Sequence, residues 1–151
     1  MPSRRRAREF ALAALYAVDI GQTPGPAALS ALWASLVDGL PDPGGLPEVA
    51  ATPEEIEFAQ SAVRGVLEEL PDLDARIEAA STNWRIGRMP GVDRNIIRMG
   101  AWEILHREVP TPVVINEALE IAKRFGGAES RAFVNGILDR IASEAGRGRK
   151  R

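Results

Sequence analysis

The chain has 151 residues, 45% apolar and 26% charged, with formal charge −2, the balance of a water-soluble globular protein with room for one core or two small halves. It contains no cysteine, which excludes disulfides, thiolate catalysis and cysteine-ligated metals. No apolar stretch reaches the ~20 residues needed to span a bilayer, so no membrane role is expected, and Glu9, Tyr16 and Asp19 interrupt any signal-peptide core. The start therefore reads as a mature cytoplasmic N-terminus.

The elements read as helices throughout. From Ser3 to Ile20, Ala7, Ala11, Ala14, Leu15 and Val18 share one face, with Gly21 as the stop. A second helix is predicted from about Pro26 to Gly39, burying Leu29, Leu32, Trp33 and Leu36. Residues 39–51 hold Pro41, Pro43, Pro47 and three glycines and form a connector. Thr52-Pro53-Glu54-Glu55 is a capping box with proline at the first helical position. It opens a helix presenting Ile56, Ala59, Val63, Val66, Leu67 and Leu70, after which Pro71 falls and Asp72 can cap a shorter helix through Ile77.

A proline-interrupted segment follows, with Trp84, Ile86 and Met89 expected to face the core. The next helix runs from Pro90 or Gly91 to about His106, with Val92, Ile96, Met99 and Ile104 buried. Pro110-Thr111-Pro112 turns the chain into a final pair. Val114, Ala118, Ile121, Ala122 and Phe125 line the first helix of the pair, which stops at Gly126-Gly127. Val134, Leu138 and Ile141 line the second, which begins near Ser130. No strand-like alternation or fixed-period repeat is present. The expected fold is all-α, two small helical bundle subdomains packed together with about seven helices. Residues 1–80 and 81–145 form the two halves of one 1–145 domain, followed by a basic 146–151 tail.

Net charge hides an asymmetry. From Asp38 to Glu78 eleven acids face only Arg64 and Arg76, a balance of −9 that leaves +7 on the rest of the chain. Arg4, Arg5, Arg6 and Arg8 crowd one end, and Arg147, Arg149, Lys150 and Arg151 the other. Local patches rather than overall charge decide phosphate binding. Of 19 basic residues only Lys123 and Lys150 are lysine. Arginine forks suit phosphates and stack on bases, although genomic composition bias also produces such a ratio. In the last helix Phe133, Asn135 and Gly136 sit together, and Asn and Gly are poor helix formers, so a packing or binding reason is expected there.

Catalytic patterns are absent. His106 is the only histidine; it falls in the last turn of its helix, where a cation favours the dipole, and reads as structural. There is no phosphate-cradling glycine loop, nucleophile elbow or HExxH. Glu54-Glu55 and Glu68-Glu69 read as a capping box and a solvated face. No enzyme activity, metal or cofactor is expected.

Three motifs, RRRAREFALAALY, VDRNIIRMGAWEIL and VVINEALEIAKRFGGAESRAFVNGILD, together resemble the NusB family of bacterial transcription antitermination factors over essentially the whole chain. The resemblance implies a non-enzymatic, cytoplasmic RNA-binding protein of two helical subdomains. It implies recognition of boxA, a short single-stranded element of ribosomal RNA leaders, with NusE, a small-subunit ribosomal protein, inside an RNA polymerase antitermination complex. Family members occur as monomers and dimers, so a homodimer stays open.

Carried over residue by residue, Arg4, Arg5, Arg6 and Arg8 match the family's arginine-rich arm, with Tyr16 further along the same helix. Phe125 and Phe133 match aromatic positions beside the RNA; Phe125 also fits the apolar stripe, and Phe133 lies at the stripe's edge. Glu129 matches an acid at the start of the last helix, where it would accept from a base edge or favour the helix N-terminus. The basic residue the family often has before Phe133 is here Ala132, so one phosphate contact is either lost or moved to Arg131. Asp93 and Arg98 match positions facing NusE, and both fall off the Val92–Ile96–Met99 stripe, so exposure is expected. Two alternatives stand beside this reading: an accessory domain like that of ribosomal-RNA cytosine methyltransferases, for which this chain leaves no room for a cofactor-binding α/β domain, and a helical adaptor binding protein or duplex DNA. The basic tail reads as a natural end.

Overall fold

The computed structural model describes residues 3–22, 27, 30, 51–82, 84–106 and 109–147. All regular structure among them is helical: α1 (Arg4–Asp19), α2 (Pro53–Glu68), α3 (Leu70–Ala80), a 3-10 turn (Ile86–Arg88), α4 (Gly91–His106), α5 (Thr111–Phe125) and α6 (Ser130–Glu144). Of the helix expected between Pro26 and Gly39, only Ala27 and Ser30 are described, both helical; the remainder, most of the connector and the end of the basic tail lie outside the described residues.

The chain divides into two compact units, Met1–Val63 and Arg64–Arg151. Within the second unit α3 packs against α4 and α6.

In the first unit α1 starts at Ser3, whose Oγ accepts the Arg6 N–H at 3.1 Å, satisfying one of the donors a helix start leaves open. Ala7, Phe10, Ala11, Ala14 and Leu15 are buried at the spacing of one helical face. The capping box forms as its residues dictate: the Glu55 N–H donates to Thr52 Oγ1 at 3.1 Å, and the Thr52 N–H donates to Glu55 Oε1 at 2.9 Å.

In the second unit α3 begins earlier than expected. Pro71 lies in its first turn, where a missing N–H costs nothing, and Asp72 is not the cap. Asp72 instead takes a hydrogen bond from Arg76 at 3.2 Å across one exposed turn. α4 is buried from Asp93 to Ile104 on almost every side and touches α3, α5 and α6. Helices approach closely where side chains are missing: a Cβ at Gly65 would strike the Trp102 ring, and one at Gly100 would meet Leu138 Cδ1 at 2.9 Å. α6 closes on Gly146 at φ 73°. The Arg147 N–H donates to the Ala142 carbonyl at 2.7 Å and its guanidinium reaches the Ile104 carbonyl at 3.0 Å, so the first part of the basic tail is tied to the end of α4.

Candidate nucleic-acid interface

The arginine arm is not a uniform solvated comb. Arg4 and Arg5 are exposed in the first turn of α1. Arg6 is half-buried; its Nη1 lies 3.4 Å from Glu55 Oε1, and its guanidinium stands 5.1 Å from the centre of the Phe10 ring. Arg8, expected to meet phosphate, is only 3% exposed, and its guanidinium lies 5.1 Å from the Phe58 ring centre, with Arg4 at 5.3 Å from the same ring. Depth along the helix explains the split. Arg4 and Arg8, four residues apart, share the face that meets Phe58, but Arg8 lies one turn deeper in the helix beside buried Ala7 and is covered, while Arg4 in the first turn stays exposed.

Glu55 organises this end of the unit. It is 2% exposed, and its Oε2 accepts the Ser3 N–H at 2.8 Å while its Oε1 serves the capping box. One carboxylate thus fixes the starts of α1 and α2 together. Tyr16, two to three turns further along α1, is 41% exposed, and Ile20 four residues on is 47% exposed.

In the second unit Phe125 is half-buried at the end of α5, with the Arg124 guanidinium 5.4 Å from its ring centre. Glu129 is exposed at the N-cap position of α6 and makes no side-chain cap bond. Ser130 does the tying: its Oγ accepts the Gly127 N–H at 2.8 Å and donates to Asp93 Oδ1 at 2.7 Å. Arg131 is exposed, and Phe133 is half-buried.

Two expectations for this unit are corrected. Asp93 and Arg98 are buried, at 4% and 7% exposure, not exposed. α4 is covered on nearly every side, so a residue off its apolar stripe still meets protein. Asp93 meets the start of α6 through Ser130. Arg98 meets α3 through a two-bond fork, Nε to Asp74 Oδ1 and Nη2 to Asp74 Oδ2, both 2.8 Å, with Nη1 to Asn95 Oδ1 at 3.2 Å.

Trp84 is the second correction: it is 49% exposed rather than in the core, while Met89 is buried and Ile86 intermediate. Its ring lies edge to face with Phe133, centroids 6.0 Å apart at 72°. Trp84 stands in irregular chain between α3 and the 3-10 turn, beside Arg85, outside any helical stripe, and that placement is the signal for its exposure. His106 sits at the end of α4 with Nε2 2.8 Å from Glu69 Oε1, both partly exposed, an arrangement of a helix terminus. Among the described residues no cluster of three or more His, Cys, Asp or Glu could hold a metal ion, and no helix is long and apolar enough to cross a membrane.

These features define an all-helical protein with exposed cationic and aromatic side chains on each of its two units. The NusB family model matches residues 5–143, and the chain belongs to the NusB family. It is similar to the transcription antitermination protein NusB of Sorangium cellulosum, 45% identical over 97% of this chain and 96% of that one. The protein of that name from Anaeromyxobacter dehalogenans is also 45% identical, over 95% and 93%. Among solved structures, NusB of T. maritima is 34% identical with a TM-score of 0.79, covering 95% of this chain and 94% of that one. A crystal structure of the antitermination factors NusB and NusE with double-stranded RNA shares the fold at 20% identity, TM-score 0.76, over 93% and 96% of the two chains.

Proposed function

We propose that this chain is a non-enzymatic transcription antitermination factor of the cytoplasm. It binds single-stranded boxA RNA of ribosomal RNA leaders jointly with NusE, within an RNA polymerase antitermination complex. The observation that carries the reading is the first turn of α1. It holds exposed Arg4 and Arg5 and no acid, although the dipole of a helix N-terminus disfavours cations there by about 0.3–1 kcal/mol each. An RNA backbone offsets that cost.

In this reading Arg4 and Arg5 neutralise phosphates, and Arg6 adds its partly exposed charge. Arg8 holds the helix on Phe58 instead of touching RNA. Tyr16, Phe125 and Phe133 offer ring surface to unstacked bases, Arg131 takes a phosphate, and Glu129 accepts from a base edge. Asp93 and Arg98 act on NusE binding through the helix arrangement they fix. Family membership supports these assignments, and so does the assembly of a protein of the same fold with NusE and RNA.

The test is a titration of labelled boxA RNA, single-stranded and as a duplex, with and without NusE. Single-stranded boxA should bind more tightly than a scrambled strand or the duplex, and NusE should increase its affinity by a coupling of ~1–3 kcal/mol, which linkage requires to be reciprocal. Absence of RNA binding overturns the reading; a duplex preference overturns its single-stranded part; equal affinity with and without NusE overturns joint assembly.

A further inference from the structure

We propose that Trp84, Phe133 and the bare backbone at Gly136 form a stacking subsite for one unstacked base of a single-stranded RNA, with Arg85 and Arg88 meeting the adjoining phosphates. The inference rests on the RNA-binding reading and adds to it a site that lies wholly within the second unit.

Trp84 leaves half of its surface in water yet is not loosely held. The chain just beyond it is pinned at two residues. The Ile86 N–H donates to Glu78 Oε2 at 2.9 Å. The buried Arg94 donates from Nη1 to the Ile86 and Met89 carbonyls, at 3.1 and 3.2 Å. A ring on such a segment loses little freedom when a ligand arrives, which favours binding. Its neighbour Phe133 meets it edge to face. In that arrangement one ring presents only its edge to the other, so its two faces are not used by the pair. An aromatic face that is exposed and prealigned is what base stacking requires.

Gly136 points the same way. It stands in the middle of α6, three residues beyond Phe133 and therefore on an adjacent turn of the same face. It is exposed, and no described atom lies within 4 Å of the position a Cβ would take. Glycine weakens a helix interior. At Gly65 and Gly100 a neighbouring side chain explains the bare backbone; at Gly136 nothing within the described residues does, and among them the space beside it is open. The charges identify what fits there. Arg85 and Arg88 flank the 3-10 turn next to Trp84, both exposed, and no described carboxylate pairs with either. Aromatic faces beside available guanidinium groups fit a nucleotide, base and phosphate together.

The experiment measures binding of labelled single-stranded boxA RNA to the full chain and to Trp84→Ala, Trp84→Phe and Gly136→Leu. Trp84→Ala should weaken binding by about fivefold to a hundredfold, the range of one lost base stack, and Trp84→Phe should stay within a few-fold of the unmodified chain. Gly136→Leu should weaken binding while melting no lower than the unmodified chain. An abasic scan of the RNA should find one position where the Trp84→Ala effect vanishes, identifying the stacked base. If the unmodified chain binds RNA and Trp84→Ala binds it equally well, the subsite is overturned and the RNA reading stands. If Trp84→Ala weakens only NusE binding, the face belongs to a protein and the subsite is overturned. If Trp84→Ala does not fold, Gly136→Leu decides, and unchanged affinity there overturns the proposal. An unmodified chain that binds no RNA removes both readings.

Discussion

Ser130 Oγ donates to Asp93 Oδ1 at 2.7 Å, and both residues are buried. The bond joins the first turn of α4 to the first residue of α6, and Ser130 Oγ also accepts the Gly127 N–H. The start of the last helix is therefore set by a carboxylate 37 residues earlier.

Replacing Asp93 by alanine should destabilise the chain by about 1.5–3 kcal/mol, the range for hydrogen bonds to a charged group. Asp93→Asn, which keeps an acceptor, should lose less. Urea unfolding followed by circular dichroism measures both. Asp93→Lys should reduce stability before it shows any selective effect on NusE; a fully stable Asp93→Lys chain would show that burial here does not matter.

The arm should separate by position. Alanine at Arg4 and Arg5 removes two exposed charges and should lessen the log–log salt slope of RNA binding by about 1.4, at roughly 0.7 per phosphate on a single strand. Alanine at Arg8 should change that slope little and lower the melting temperature instead, since its buried guanidinium rests on Phe58. Equal slopes for the two variants would contradict the division.

Glu55 should be one of the most sensitive polar positions of the first unit. Glu55→Ala takes the acceptor from the Thr52 and Ser3 N–H groups and removes the partner of Arg6. The loss should be about 1–3 kcal/mol, with faster amide hydrogen exchange at the start of α1. Glu55→Gln retains one oxygen acceptor and should fall between.

Three glycines should respond in different ways to alanine. At Gly65 the new methyl strikes the buried Trp102 ring and should cost about 1–3 kcal/mol by overpacking. At Gly100 it meets the end of the Leu138 side chain, which can turn, so the cost should be smaller. At Gly136 it meets open space, and the chain should gain about 0.4–1 kcal/mol. Thermal melts of the three variants give the order directly.

The sequence by itself determined the local elements. The Thr52–Glu55 capping box, the start of α4 at Gly91 and the stripe from Val114 to Ala122 depend on caps, breakers and a 3.6-residue period, interactions among residues a turn apart that any reading of the chain contains. The family also followed from motifs in the chain. Tertiary structure alone decided what each polar or aromatic side chain does. Periodicity marks one buried face of a helix; it cannot show that α4 is covered on its other faces too, which buried Asp93 and Arg98 against partners 37 and 24 residues away. Nor could it place Trp84, which belongs to no helix and owes its exposure to Glu78 and Arg94 holding the turn beyond it. Arg8 was divided from Arg4 for a related reason: a run of arginines has one charge pattern, but of the two that share the Phe58 face only Arg8, a turn deeper in the helix, is covered.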